Sequence, residues 1–229
     1  MMQPSATYAL YRGRLETYFD RTAAKAWEQL TSDAPVSGIR ATVRAGRDQM
    51  RATLLSWLPD DLRGARLLDA GCGTGALAVE AARRGAEVVA IDVAASLVDI
   101  ARERAPHGVP IDWRVGDMLS ADLGQFDHVV AMDSLIHYRA ADIVATVAAL
   151  AARTRGSLLF TVAPHTPALA AMHMAGKLFP RADRAPAIVP IRPQLLRTML
   201  QQAVPAAVIG RGARVATGFY ISEAIEVAP

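Results

Sequence analysis

A glycine-rich turn at residues 69–75 concentrates the groups in this chain that can do chemistry. It reads Asp-Ala-Gly-Cys-Gly-Thr-Gly, with glycines at Gly71, Gly73 and Gly75. Glycines at this spacing permit a tight turn, let a ligand approach the backbone, and direct the amides of the next helix N-terminus at a polar group. The small side chain of Cys72 fits inside such a turn and needs no redox role. The turn predicts a site for a nucleotide-like ligand.

A second interpretation of the turn is open at this point. Gly71, Gly73 and Ala76 also have the GxGxxA spacing of dinucleotide-binding proteins. A dehydrogenase, or a Rossmann domain without catalytic function, would show the same residues. A phosphate-binding P-loop does not fit, because no Gly-Lys-Ser or Gly-Lys-Thr follows the turn.

Three aspartates at predicted strand ends discriminate between these ligands. Asp69 comes directly before the glycines, where a carboxylate repels a pyrophosphate and attracts an ammonium group. Asp92 ends the next apolar run, where a carboxylate can accept hydrogen bonds from ribose hydroxyls. Asp117 follows the third run, within reach of an adenine amino group. Together the three acids outline a ligand with an amino-acid end, a ribose and an adenine.

The elements that must position these groups alternate from residue 65 onward. Short apolar runs predict strands buried on both faces at 65–70, 87–92, 111–115, 127–132 and 157–162. Helical periodicity predicts helices at 76–84, 95–104, 140–153 and 195–202. This alternation indicates a parallel sheet with right-handed crossovers. The last two strand-like segments, 206–211 and 216–227, are separated only by residues 212–215 and must therefore pair antiparallel.

One domain with an N-terminal extension accounts for the 229 residues. Residues 1–60 predict helices, and we expect them to act as a lid over the site. Their apolar faces are Tyr8, Leu15, Tyr18 and Phe19 in one segment and Val43, Met50, Leu54 and Leu58 in the next. Residues 61–229 predict the α/β domain, with an apolar insertion at 163–191 after the fifth strand.

Composition argues against several function classes. Lys and Arg number 25 against 22 Asp and Glu, and no basic run indicates a nucleic-acid partner. The single Cys72 has no disulfide partner within the chain, and no Cys/His group has zinc-ligand spacing, so we expect a cytoplasmic protein without a metal site. The N-terminus lacks the apolar segment of a signal peptide. Prolines and histidines interrupt the uncharged stretch 156–176, so no transmembrane segment is predicted.

The glycine turn, Asp92 and the pair Gly116-Asp117 resemble the class I S-adenosylmethionine-dependent methyltransferases. The terminal hairpin matches the reversed last strand of that fold. The resemblance implies a Rossmann-like doubly wound sheet, S-adenosylmethionine as cofactor and S-adenosylhomocysteine as product. The cofactor-binding residues that it implies are Asp69, Gly71, Cys72, Gly73, Gly75, Asp92, Asp117, Met118 and Asp133.

Three further segments resemble the magnesium-protoporphyrin IX methyltransferases of bacteriochlorophyll synthesis. They are Tyr18-Phe19-Asp20, the seven residues 132–138, and the segment from Phe160 through Pro186 that contains most of the insertion. This resemblance implies esterification of one propionate of Mg-protoporphyrin IX, with the magnesium belonging to the substrate. The alternatives are a methyltransferase for another small carboxylate or hydroxyl substrate, and a non-catalytic cofactor-binding or carrier module. Polar residues Asp133 and His137 near the expected methyl group argue against the carrier.

A porphyrin site needs apolar area and a few cations for the propionates. The insertion offers apolar side chains, cations, and imidazoles for a potential axial ligand to the substrate's magnesium, although magnesium prefers oxygen ligands. The substrate-binding residues predicted there are His165, Met172, His173, Lys177, Phe179, Arg181 and Arg184. The structural alternative is an apolar helix that only packs on the sheet edge.

His137 and Tyr18 are the catalytic residues that the resemblance implies. His137 follows the fourth strand, at the rim where open α/β sheets bind ligands. Because a propionate is already ionised near pH 7, we expect His137 to orient the carboxylate rather than to act as a strong base. Tyr18 would close over the cofactor from the extension. Capping of a turn by His137 and helix packing by Tyr18 are the structural alternatives.

The resemblance also implies delivery of the porphyrin by the porphyrin-binding subunit of magnesium chelatase. Peripheral contact with the photosynthetic membrane is compatible with a cytoplasmic protein. No particular residue of the sequence points to either contact.

Overall fold

Seven strands form one sheet at the centre of the computed structural model, which describes residues 5–20, 27–28, 30–31, 38–165 and 187–229. The strands are β1 (Arg66–Ala70), β2 (Glu87–Asp92), β3 (Ile111–Val115), β4 (Phe126–Ala131), β5 (Thr154–Val162), β6 (Val208–Thr217) and β7 (Tyr220–Ala228). The main helices are α1 (Ala6–Tyr18), α2 (Gly38–Ser56), α3 (Ala76–Arg83), α4 (Ala95–Arg104), α5 (Ala140–Ala151) and α6 (Pro193–Ala203).

The sheet has the order β3-β2-β1-β4-β5-β7-β6. Its first five strands are parallel, so their carboxyl ends lie along one edge. Strand β7 lies between β5 and β6 and runs antiparallel to both. These pairings confirm the predicted Rossmann-like sheet with a reversed C-terminal strand.

The connection between the last two strands differs from the prediction. Residues 212–215 lie inside β6, and the chain turns at Gly218 and Phe219 instead. Gly218 has a φ of 55°, a left-handed conformation that glycine adopts without a steric penalty. The glycines near residue 212 serve a different purpose, since the β6–β7 register shifts between Ile209 and Gly212.

Side chains that alternate along the strands divide the core into two layers, one on each face of the sheet. Leu68 and Val129 belong to the layer that contains Tyr8 and Leu15 of α1. Leu67 and Val88 belong to the opposite layer, together with these residues from α2 and the segment after it: Met50, Leu54, Leu55 and Leu58. The N-terminal extension therefore contributes to both faces of the core, and each leucine buried there stabilises the fold by about 1.5–3 kcal/mol.

Two short segments form the base of the insertion at 163–191. Ile191 donates its amide to Ala163 at 2.9 Å, and His165 donates its amide to Ile191 at 2.8 Å. These bonds hold the two ends of the insertion side by side. Residues 166–186 lie outside the described part of the chain.

Candidate active site

A cavity of about 310 Å³ opens at the carboxyl ends of the parallel strands. Its walls come from the glycine turn, the ends of β2 and β4, the loop after β3, and helices α1 and α2. This is the position where open α/β sheets bind ligands, because the loops that follow the strands diverge there.

The glycine turn forms one wall, and its backbone shape requires glycine. Gly71 has a φ of 88°, and a Cβ there would collide with the side chain of Ser134. Gly75 has a φ of 81° and directly precedes α3, where a Cβ would collide with the ring of Trp113. Gly71, Cys72 and Gly73 all line the cavity, whereas Gly75 shapes the turn behind the wall; their contact with the cofactor stays a prediction.

Asp69 lies in the cavity wall with an unsatisfied acceptor. Its side chain is 2% exposed, and no donor among the described residues contacts its Oδ2. Burial, followed by the nearby charge of Asp92, raises the pKa of Asp69 to about 7, against the effect of a backbone hydrogen bond from Ala78. A buried carboxylate oxygen without a partner is costly, and a cationic group of a ligand would satisfy it. The predicted ammonium-binding role fits this geometry.

Asp92 ends β2 and faces the same cavity. Its Oδ2 accepts the Gly73 amide at 2.9 Å and its Oδ1 accepts the Ala94 amide at 3.0 Å. Each carboxylate oxygen can accept a second hydrogen bond. The pKa of Asp92 is raised by burial, against the effect of these amides. Asp92 is therefore oriented by the turn and retains acceptor capacity for two hydroxyl groups.

Residues of the loop after β3 contact two different parts of the structure, the cavity and helix α1. Gly116 and Met118 line the cavity, whereas Asp117 is not among its lining residues. The Asp117 carboxylate accepts hydrogen bonds from the Tyr8 hydroxyl and from Arg12, each at 2.7 Å. Contact of Asp117 with an adenine stays a prediction, and the structure gives this acid a second task, which is to hold α1 against the loop.

Asp133 also differs from a simple cofactor ligand. It lines the cavity with a φ of 54°, uncommon for a residue other than glycine. Its carboxylate accepts hydrogen bonds from Arg47 at 2.7 Å, Tyr220 at 3.0 Å and Thr161 at 3.2 Å. Burial, followed by the charge of Asp133, raises the pKa of Tyr220, so the phenol remains a donor at neutral pH.

His137 lies at the cavity rim, where the sequence predicted it. The side chain is 7% exposed and lines the cavity. Its Nδ1 lies 3.4 Å from the carbonyl oxygen of Ala187, at the far end of the insertion. The adjacent Ile136 accepts the Val189 amide at 2.8 Å. The rim loop and the base of the insertion are thus joined beside the imidazole.

Tyr18 lies one residue away from the cavity wall. Its ring packs edge-on against Phe19, with centroids 5.1 Å apart, and Phe19 packs against the His137 ring at 6.3 Å. Phe19 lines the cavity and Tyr18 does not. The structure thus connects the two predicted catalytic residues through Phe19, and the catalytic role of Tyr18 stays a prediction.

Among the predicted substrate-binding residues, only His165 lies in the described part of the chain. Its side chain is exposed and is not among the residues that line the cavity. The others, at positions 172, 173, 177, 179, 181 and 184, lie outside the described residues. Within the described ranges, no group of three His, Cys, Asp or Glu side chains is arranged to hold a metal ion, and no helix is both long and apolar enough to cross a bilayer.

Sequence reasoning missed the cationic wall that α2 contributes. Arg44, Arg47 and Arg51 line the cavity together with Asp48, while Met50 on another face of the helix is buried. Arginines spaced by three and four residues fall on one helix face. That spacing is visible in the sequence and predicts that the arginines share one face of the helix, but it does not predict that this face lines the cavity. Ser134 was also missed; its buried Oγ has no partner among the described residues.

Comparisons with known proteins identify the family. The family described as "Magnesium-protoporphyrin IX methyltransferase C-terminus" matches residues 131–229, and a "Methyltransferase domain" family matches residues 67–156. The magnesium-protoporphyrin O-methyltransferase of Rhodobacter capsulatus is 52% identical over 97% of this chain and 98% of its own length. The chain belongs to the magnesium-protoporphyrin O-methyltransferases. This confirms the family that the sequence motifs resembled.

A solved structure of a family member has the same fold. Magnesium protoporphyrin IX methyltransferase from Synechocystis PCC 6803, with bound S-adenosylhomocysteine, superposes with a TM-score of 0.83 at 26% identity, covering 94% of this chain and 98% of that one. More distant methyltransferases also match, such as a ubiquinone biosynthesis O-methyltransferase of Xanthomonas oryzae pv. oryzae, 33% identical over 72% of this chain and 71% of its own. The glycine turn of this magnesium-protoporphyrin O-methyltransferase family member therefore belongs to a methyltransferase fold rather than to a dehydrogenase.

Proposed function

We propose that this protein transfers the methyl group of S-adenosylmethionine to a propionate carboxylate of Mg-protoporphyrin IX, giving the monomethyl ester and S-adenosylhomocysteine. The observation that carries the proposal is the arrangement of one cavity. Asp69, whose Oδ2 has no partner among the described residues, and the acceptor Asp92 lie on one side, and His137 lies at the rim beside the base of the insertion. Close relatives that carry this activity by name support the choice of substrate.

The residues of this chain have three tasks in such a reaction. S-adenosylmethionine, when bound, supplies an electrophilic methyl group on a sulfonium. Asp69 offers its free acceptor to a positive group, and Asp92 offers acceptors to hydroxyl groups, so both fix the ligand in one orientation. His137, which is buried beside Phe19 and Ala187, is the residue we propose to orient an incoming carboxylate.

Water exclusion is the remaining contribution. A carboxylate is a weak nucleophile in water and becomes more reactive when its hydration shell is removed. Apolar side chains around the cavity supply that environment; they are Leu15, Phe19, Met118, Met132 and Ile136. The insertion at 163–191, whose base lies beside His137, is the segment we propose for contact with the porphyrin macrocycle. Delivery by the porphyrin-binding subunit of magnesium chelatase and contact with a photosynthetic membrane are parts of the same proposal.

The test is a methylation assay with Mg-protoporphyrin IX and labelled S-adenosylmethionine. We expect the label in a less polar porphyrin that carries one added methyl group, from which mild alkali releases labelled methanol because the product is an ester. A catechol of the ubiquinone pathway serves as the competing acceptor. The Asp69→Asn variant should lose activity, whereas Asp60→Asn, a change of an exposed acid outside the cavity, should retain it. Preferential labelling of the catechol would refute the proposed substrate.

A further inference from the structure

Two different segments of the chain contact Arg47 in the cavity wall. Its Nη1 donates to Asp133 at 2.7 Å, and its guanidinium carbon lies 4.7 Å from the centre of the Trp27 ring. The side chain is 23% exposed, and the residue lines the cavity. Stacking on one partner and ion pairing with the other fix the plane of the guanidinium.

Asp133 is the buried ion-pair partner of Arg47. Its side chain is 6% exposed, and its hydrogen bonds go to Arg47, Thr161 and Tyr220. Its backbone amide donates to the Thr161 hydroxyl at 2.7 Å, which fixes the residue in its positive-φ conformation. Left-handed backbone for a residue other than glycine is unfavourable and is concentrated at functional sites. The observed contacts direct this carboxylate toward protein groups.

We propose that Arg47 binds a carboxylate group of a ligand in the cavity, with Asp133 and Trp27 as its positioning residues. A guanidinium carries five N–H donors in a planar fork that matches a carboxylate. In the described part of the chain, the ion pair at Nη1 is its only hydrogen-bonded contact, so donors remain.

The charge distribution of the cavity supports the same assignment. Asp69 and Asp92 form an acidic wall that repels a carboxylate, and the arginines of α2 form the cationic wall. Both ligands of the proposed function carry the required group, namely the methionine end of the cofactor and the propionates of the porphyrin. The proposal rests on that function only for the choice of these two ligands.

The first arm of the test measures binding without turnover. S-adenosylhomocysteine and its decarboxylated analogue are titrated into the wild type and the variants Arg47→Gln and Arg47→Lys. If Arg47 binds the methionine carboxylate, Arg47→Gln weakens the first ligand about 10–100-fold and leaves the affinity for the analogue unchanged. Arg47→Lys should restore only part of the loss, because an ammonium lacks the planar fork.

The second arm measures KM for Mg-protoporphyrin IX and for its monoamide, in which one propionate is neutral. If Arg47 binds the propionate that does not react, Arg47→Gln raises KM for the dicarboxylate about 10–100-fold and has little effect on the monoamide. Either arm supports the proposal and names the source of the carboxylate. The proposal is overturned if Arg47→Gln changes neither the preference for S-adenosylhomocysteine over its decarboxylated analogue nor the preference for the dicarboxylate porphyrin over its monoamide.

Controls separate this result from misfolding and from failure of the proposed function. Arg40→Gln changes an exposed arginine of the same helix outside the cavity and should have no effect. Arg47→Gln leaves Asp133 buried without its cation, so the double variant Arg47→Gln/Asp133→Asn is tested in parallel. The double variant should lose the preference for the carboxylate ligand as Arg47→Gln does, but its thermal stability should be closer to that of the wild type. Because the first arm needs no porphyrin, it remains informative even if the wild type fails to methylate Mg-protoporphyrin IX.

Discussion

Asp69 and Asp92 lie at the carboxyl ends of neighbouring parallel strands, and both line one cavity. Asp69 pairs in register with Ala90, two residues before Asp92, and the charge of Asp92 adds to burial in raising the pKa of Asp69 to about 7. The two acids differ in their partners. Asp92 accepts two backbone amides, whereas Asp69 has an acceptor that no described donor reaches.

This relationship predicts pH-dependent cofactor binding. A cationic ligand binds the ionised form of Asp69, so below its pKa of about 7 binding must first remove a proton. We expect the affinity for S-adenosylhomocysteine to fall about tenfold per pH unit below this pKa and to level off above it. Calorimetric titrations from pH 5.5 to 8.0 measure the slope. A wild-type profile as flat as that of Asp69→Asn would contradict the assignment.

The same pKa predicts that Asp69 destabilises the ligand-free protein at high pH. The folded-state pKa lies above the unfolded value of 3.8, so the contribution of Asp69 to stability is present at low pH and is lost as pH rises to about 7. At pH 8 the Asp69→Asn variant should therefore be about 2–4 kcal/mol more stable to unfolding than the wild type. Urea denaturation measures this, with Asp60→Asn as the exposed control; equal stability of all three proteins is the contrary result.

Asp92→Ala should weaken cofactor binding far more than porphyrin binding. The change removes acceptors for the ribose and also releases the Gly73 amide that orients the turn. Unpaired polar groups of this kind cost about 1–3 kcal/mol each. Titration calorimetry with S-adenosylhomocysteine and fluorescence quenching with Mg-protoporphyrin IX give the two affinities. Unchanged cofactor affinity would rule out the ribose assignment.

His137→Ala should lower kcat about 10²–10⁴-fold with cofactor affinity nearly intact, because the imidazole is expected to position the carboxylate rather than to hold the cofactor. His107→Ala, at an exposed turn, is the matched control. Because the pKa of Asp69 is also near neutrality, we expect protonation of Asp69 to lower kcat/KM at acidic pH through weaker cofactor binding. The effect of His137 is therefore measured as kcat at saturating cofactor. Wild-type turnover in the variant would leave alignment and desolvation as the whole mechanism.

Binding of S-adenosylhomocysteine should protect the N-terminal extension from proteolysis. Tyr8 and Arg12 bind Asp117, which lies between the cavity residues Gly116 and Met118, so a ligand that orders this loop should also hold α1. We expect S-adenosylhomocysteine to slow proteolysis of the extension in the wild type. Protection should be smaller in Tyr8→Phe, which loses one hydrogen bond worth about 1 kcal/mol, and unchanged in Tyr11→Phe on the same helix. Equal cleavage rates with and without ligand would refute the lid.

The sequence by itself determined the parts of this protein that depend on neighbouring residues. The glycine turn, the acids Asp69 and Asp92 at strand ends, and the parallel order of the strands follow from short-range spacing and periodicity. His137 was placed correctly because a residue just after a parallel strand must lie at the rim. The turn between β6 and β7 was misplaced because glycines of a bulged strand resemble those of a turn.

Tertiary structure alone decided the partners of the polar side chains. Arg47 and Asp133 are separated by 86 positions, and Tyr8 and Asp117 by 109. No local pattern encodes such contacts, because they arise only when helices of the extension pack on particular faces of the sheet. The cationic wall is the clearest case: helical spacing places Arg44, Arg47 and Arg51 on one face, and packing of α2 beside β7 turns that face toward the cavity. The sequence likewise does not reveal which side chains bind the carboxylates of Asp117 and Asp133, and the cofactor contacts of these two acids stay predictions.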